Sequence, residues 1–213
     1  SHAAAAPLVL ITAWEALFNR ADLKKGQTVF INAGAGGVGH VAIQLAKQIG
    51  ANVCTTISSN EKAEFVKALG ADHIINYKEQ DVAESIMTWT DGQGVDIEMD
   101  NIDGKQTDTL FRIVKHYGDV VSLLVPDKDL DWSPARPKNL RFSMEVMLSP
   151  QLFDLQDAQL KQTEILKKCA ALIDDKKLTV EVNQTLALDD AVEAHQLIES
   201  GHTLGKIVLG IEQ

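Results

Sequence analysis

From Thr28 onward the hydrophobic positions follow two alternating rhythms. Residues 28–32 form a β-branched and aromatic run, the composition of a strand buried on both faces. A glycine-rich turn follows. Apolar residues then fall at Val38, Val41, Ala42, Leu45, Ala46 and Ile49, the spacing that puts them on one face of a helix, and Gly50 ends it. The cycle repeats. Residues 53–57 predict a second strand, and Ser58 with Glu61 has the spacing of a capping box opening a helix through Leu69. Residues 73–76 predict a third strand, 81–89 a helix and 95–99 a fourth strand. Residues 107–117 carry Leu110, Ile113, Val114 and Tyr117 in helical register, and 120–125 predict a fifth strand. Strands alternating with helices in this way specify an α/β fold: a doubly wound parallel sheet of about six strands, in the order 3-2-1-4-5-6.

After Val125 the pattern changes to a polar loop with Pro126, Pro134 and Pro137. A sixth strand is expected from Leu140 to Leu148. Ser149-Pro150 then reads as an N-cap with proline in the first turn of a helix running to about Asp174. Residues 179–182 predict a strand, 189–199 a helix and 206–211 a last strand. These elements divide the chain at 148, with a cofactor domain and its lead-in helix before and C-terminal helix and strand elements over 149–213.

The charge balance narrows the partners. Twenty basic against 30 acidic residues give a net charge of −10, and no Lys/Arg cluster offers the footprint of a nucleic-acid or anionic-membrane binder. No apolar run reaches the length of a membrane span, so a soluble, cytoplasmic protein is expected. Cys54 and Cys169 lack companions at ligand-like spacing; two buried free thiols and no metal site are the expectation.

The chemistry-bearing motif is Gly34-Ala35-Gly36-Gly37-Val38-Gly39, a G-x-G-x-x-G placed between a predicted strand and an amphipathic helix. In this context Gly34 is expected to make the tight turn, Gly36 to admit a pyrophosphate and Gly39 to let helix and strand pack closely. The helix N-terminus then presents amides and its dipole to the phosphates. The position that selects the nucleotide lies about 20 residues beyond the first glycine. Thr56, Ile57, Ser58, Ser59 and Asn60 stand there without a carboxylate, and Lys62 follows. Hydroxyls, an amide and a lysine suit a 2′-phosphate, which favours NADP(H) over NAD; a solvated helix lysine is the alternative account of Lys62.

With these residues the chain resembles the zinc-independent, quinone-oxidoreductase-like branch of the medium-chain dehydrogenase/reductases. The resemblance rests on residues 10–17 (LITAWEAL), the glycine turn, residues 70–77 (GADHIINY), residues 95–100 and residues 205–209 (GKIVL). It implies that Lys62 and Tyr77 approach the 2′-phosphate, that Gly34, Ala35, Gly36, Gly37 and Val38 bind the pyrophosphate, and that Thr12, Asn101, Ser122 and Leu124 lie near the nicotinamide. Tyr77 as a plain strand-end aromatic, and Thr12 and Asn101 as packing or capping residues, stay open beside those roles. The resemblance also implies a GroES-like catalytic domain outside this chain, hydride transfer to a quinone, enone or related carbonyl, and a homodimer through the strand from Leu140 to Leu148. No cysteine precedes Thr12 where zinc-dependent relatives place a ligand, which favours a zinc-free enzyme. A zinc-dependent alcohol dehydrogenase or a non-catalytic nucleotide-binding module are the alternatives. Catalytic residues are not identified by the sequence.

Two positions depart from the family pattern. Glu98 stands where relatives carry an apolar strand residue and Asp103 where they often have glycine; a locally altered cofactor pocket is one reading, and the preferred expectation is that both reach solvent. His40 is expected on the exposed face of its helix, and the remaining histidines at surface or satisfied positions.

Overall fold

A computed structural model describes residues 1–102, 107–201 and 203–211. Six parallel strands form one sheet in the order β3-β2-β1-β4-β5-β6: β1 (Thr28–Ile31), β2 (Asn52–Ile57), β3 (His73–Asn76), β4 (Val95–Asp100), β5 (Val114–Ser122) and β6 (Arg141–Met144). Between them run α2 (Gly39–Gln48), α3 (Asn60–Ala68), α4 (Val82–Trp89) and α5 (Thr107–Ile113), preceded by α1 (His2–Trp14) and a π-helical turn (Glu15–Arg20). The strand order reverses between β1 and β4, and the sheet has the expected doubly wound topology. One face packs Val29, Ile31, Val53 and Ile97 against α1 and α2; the other packs Phe30, Cys54, Ile75 and Val120 against α4 and α5. Both cysteines are buried and free.

After β6 come α6 (Ser149–Leu152), α7 (Gln156–Asp174), β7 (Val182–Ala187), α8 (Ala191–Glu199) and β8 (Lys206–Gly210), with β7 and β8 paired in a second, two-stranded parallel sheet. Leu178, Val180 and Val208 of this segment join the core around α1 and α2.

Several expectations are corrected by tertiary contacts. The helix over 107–117 stops at Ile113, because Val114 pairs with Val95 and already belongs to β5. Tyr117 is exposed with φ +62° at an irregularity in that pairing, and β5 ends at Ser122, short of Val125. The sixth strand covers only 141–144 of the expected 140–148. The helix from Ser149 breaks after Leu152 around Asp154 at φ +51°, and Leu148 rather than Ser149 holds the N-cap. Thr179, expected in a strand, docks on α2 instead: its amide donates to Gln44 Oε1 at 2.8 Å and its carbonyl accepts from Gln44 Nε2 at 2.9 Å. Ser59, not Ser58, caps α3 by accepting from the Lys62 amide.

Two burial expectations also fall. His40 is fully buried, because α2 is covered on that side by the 179–181 segment. Glu98 does not reach solvent. It sits in the sheet between Phe30 and Val120, 0% exposed, and neither carboxyl oxygen has a hydrogen-bond partner among the described residues. Alternation along β4 forces this, since Glu98 points to a face of the sheet that helices cover. Asp103 and His202 lie outside the described residues.

Candidate functional site

The glycine turn closes at the carboxyl end of β1. Ala33 takes the left-handed conformation, φ +52°, so the tight turn is made one residue before Gly34. Its amide donates to Thr56 Oγ1 at 3.0 Å, and the Gly34 amide to the Thr56 carbonyl at 3.1 Å. Gly34 is required by proximity instead: a Cβ there would collide with the Thr55 side chain, and one at Gly39 would strike the Ala33 carbonyl. A Cβ on Gly36 would meet only the Ala33 carbonyl, at 3.2 Å, which leaves that surface open to a ligand. Among the described residues, the amides of Gly37 and Val38 make no backbone hydrogen bond at the start of α2, the arrangement that receives an anion.

The C-terminal segment holds the turn from outside. The Gly205 amide donates to the Ala35 carbonyl at 2.9 Å. His40 links Gly36 to Glu181: Nε2 accepts from the Glu181 amide at 3.0 Å, so Nδ1 carries the proton that goes to the Gly36 carbonyl at 2.9 Å. Burial lowers the His40 pKa, which keeps this neutral tautomer. The Lys206 side chain passes 2.9 Å from where a Cβ on Gly37 would stand, laying a cation along the turn.

Two cavities flank the turn. One, of about 220 Å³, is lined by Ala35, Gly36, Ser58, Lys62 and Tyr77 with Thr56, Ile102 and Gly201 among others. The Lys62 ammonium donates to the Gly201 carbonyl, and its pKa is lowered by burial and by neighbouring Lys78. The other cavity, of about 310 Å³, brings together Thr12, Val38, Asn101 and Leu124 with Leu8, Leu123 and residues 145–148. Asn101 Nδ2 donates to the Asn32 carbonyl at 2.7 Å, leaving Oδ1 buried without a donor among the described residues. Thr12 Oγ1 donates to the Leu8 carbonyl at 2.7 Å.

Four sequence candidates line neither cavity. Ser59 caps α3, Asn60 is exposed at its first turn, Gly34 packs on β2, and buried Ser122 donates to the Leu124 carbonyl at 2.9 Å. Gly37 lies under Lys206 instead of lining either cavity. Sequence reasoning missed Lys206 and Glu145. Lys206 stands in the GKIVL run that carries the family resemblance, and Glu145 is visible as a lone acid between Met144 and Val146.

A family model described as zinc-binding dehydrogenase matches residues 69–209. The chain belongs to the zinc-binding dehydrogenase family. It is 33% identical over its whole length to part of a phenolphthiocerol/phthiocerol polyketide synthase of Mycobacterium tuberculosis, spanning 10% of that protein. Among solved structures, Escherichia coli quinone oxidoreductase complexed with NADPH superposes with a TM-score of 0.87 at 26% identity, over 97% of this chain and 64% of that one. An NAD-dependent alcohol dehydrogenase superposes with a TM-score of 0.86 at 28% identity, over 99% of this chain and 59% of that one. The chain therefore spans less than two thirds of these dehydrogenase relatives. Among the described residues no group of three His, Cys, Asp or Glu side chains can hold a metal ion, so the zinc of the family name finds no donor set in them. No described helix is long and apolar enough to cross a membrane.

Proposed function

We propose that this chain is the NADP(H)-binding part of an oxidoreductase that transfers hydride to a quinone, enone or related carbonyl compound. The observation that carries the reading is the pair of cavities meeting at the glycine turn, one cationic and one lined by apolar side chains and unpaired acceptors. The amides of Gly37 and Val38 and the Lys206 ammonium receive the diphosphate. Lys62, beside Lys78 and bonded to a backbone carbonyl and to no carboxylate among the described residues, pairs a 2′-phosphate with Ser58 and Tyr77 at the cavity wall. At the other end Thr12, Asn101 and Leu124 enclose the nicotinamide, whose reduced form supplies the hydride. Leu123, Leu124, Val146 and Leu148 line that end with apolar side chains.

Titration of the chain with NADPH and NADH, followed by calorimetry, tests the reading. NADPH is expected to bind more tightly, and Lys62→Ala to weaken NADPH about tenfold while leaving NADH unchanged, the loss of one charge-assisted contact. Equal weakening of both nucleotides, or a preference for NADH, overturns the 2′-phosphate assignment. The free edge at β6 exposes Met144, with Val146 exposed just beyond it, and supports pairing of two copies there. Sedimentation at tens of micromolar is expected to give a dimer; a monomer overturns that arrangement.

A further inference from the structure

Glu145 follows β6 and forms part of the wall of the nicotinamide-end cavity, yet it is 2% exposed. Its Oε2 accepts from Arg20 Nε at 2.8 Å. Its Oε1 is buried and accepts no hydrogen bond from any described residue. Glu15, in the same π-helical turn as Arg20, brings a second carboxyl to the cluster, and its charge acts on Glu145. Gln162 of α7 completes the cluster: its Nε2 lies 3.3 Å from Glu15 Oε2 and donates to the Met147 carbonyl at 2.7 Å.

The charge count of this cluster does not close with both acids ionised. Two carboxylates face one guanidinium, and Arg20 is itself half-exposed. Among the described residues, Glu15 and Arg20 are the charged groups facing Glu145; α7 offers uncharged Gln162, and the cavity side offers Thr12, Asn101 and apolar residues. One added proton removes the like-charge repulsion and gives the orphaned carboxyl a hydrogen to donate within the cluster.

We infer that Glu145 is a positioning residue: a proton held between Glu145 and Glu15 fixes the 145–148 segment that walls the nicotinamide end of the cleft. The inference rests on the proposed cofactor site for its functional meaning, but the proton and the wall can be read without nucleotide. Burial and the Glu15 charge raise the Glu145 pKa to about 7. The wall is therefore held below neutrality and loosened above it. If only the protonated form binds, the affinity for NADPH falls by up to about 30-fold at about pH 8.5, the inverse of the fraction still protonated.

Carbon-13 NMR of the side-chain carboxyls, recorded with amide spectra from about pH 5 to 9 on the full chain, tests this. Glu145 is expected to titrate near neutrality, and the amides of Val146, Met147 and Leu148 to shift with the same midpoint. Glu145→Gln keeps the shape and donates to Glu15 without titrating, so those amide shifts should be lost. Glu15→Gln should lower the Glu145 midpoint. A Glu145 midpoint below about pH 5, or wall amides that move identically in Glu145→Gln, overturns the inference. In the same variant the NADPH affinity should lose its excess fall above neutral pH relative to wild type, a comparison in which titration of the ligand's own phosphate cancels. Absence of NADPH binding at every pH in both proteins would strike the cofactor reading, while the ligand-free spectra still decide the proton.

Discussion

The centre and the edge of the sheet each bury a glutamate, and the two are treated differently. Glu98 in β4 is enclosed by apolar neighbours, with no donor to either oxygen among the described residues and Asp100 two residues along the same face. Glu145, beyond β6, has an arginine, a second acid and a glutamine within the same cluster. Both pKa values are raised by burial, but only Glu145 has an arrangement that uses the proton. Burial alone thus marks a cost at Glu98, whereas burial with a matched set of partners marks a device at Glu145.

The largest break in this comparison is at Glu98. Its folded pKa is raised, so its contribution to stability is fully present below the unfolded carboxyl pKa and is lost as pH rises through the folded value. Glu98→Leu keeps the volume and removes the acid, and about 1–4 kcal/mol of stabilisation is expected near pH 8, with less near pH 4, where the acid is neutral in both states. Urea unfolding at the two pH values measures it. A variant less stable than wild type near pH 8 would mean that Glu98 has a partner the sheet does not show.

At the edge, Arg20→Leu removes the cation on which the Glu145 cluster depends. The change should cost about 1–2 kcal/mol near neutral pH, below the usual figure for a broken buried pair, because Arg20 is half-exposed and Glu145 escapes by holding its proton. The Glu145 carboxyl midpoint is expected to rise in the same variant. Its stability contribution, like that of Glu98, is lost as pH rises through the folded pKa of about 7, so both sites make the chain less stable toward alkaline pH. Unchanged titration of Glu145 in Arg20→Leu would separate the two residues.

The contrast between local and remote constraints also governs what the amino-acid order reveals. The strand-turn-helix at 28–48 is legible because each requirement is local: an apolar strand, glycines where backbone meets backbone at Gly34 and Gly39, and a helical stripe. The topology follows from repetition of that unit. Errors arise where a distant strand or helix decides the outcome, as at Val114, whose helical spacing yields to pairing with Val95, and at Thr179, captured by Gln44. At the cationic end Ser58 and Lys62 follow β2 and Tyr77 follows β3, and the parallel pairing of those strands gathers them at one end of the sheet. Glu145 is opaque because Arg20 lies 125 residues away, and Gln162 reaches Glu15 across 147. No spacing rule links such pairs.

The smallest expected effect refines the comparison within β4 itself. Asp96 lies two residues earlier in the same strand, but it accepts from the Thr28 amide and hydroxyl at 2.8 Å each and pairs with Lys115. Burial pushes its pKa up, yet the bond from Lys115 and then those from Thr28 outweigh it and leave the carboxyl below its ordinary value. Its stability contribution is accordingly present above the unfolded carboxyl pKa and lost as pH falls, the opposite sign to Glu98. Lys115 is 43% exposed, so Lys115→Met should cost less than about 1 kcal/mol, as exposed ion pairs do, because the Thr28 bonds remain. Acid unfolding of that variant should begin at slightly higher pH than wild type. A loss comparable to the Glu98→Leu change would mean that the lysine, and not the Thr28 backbone, keeps an acid tolerable in this strand.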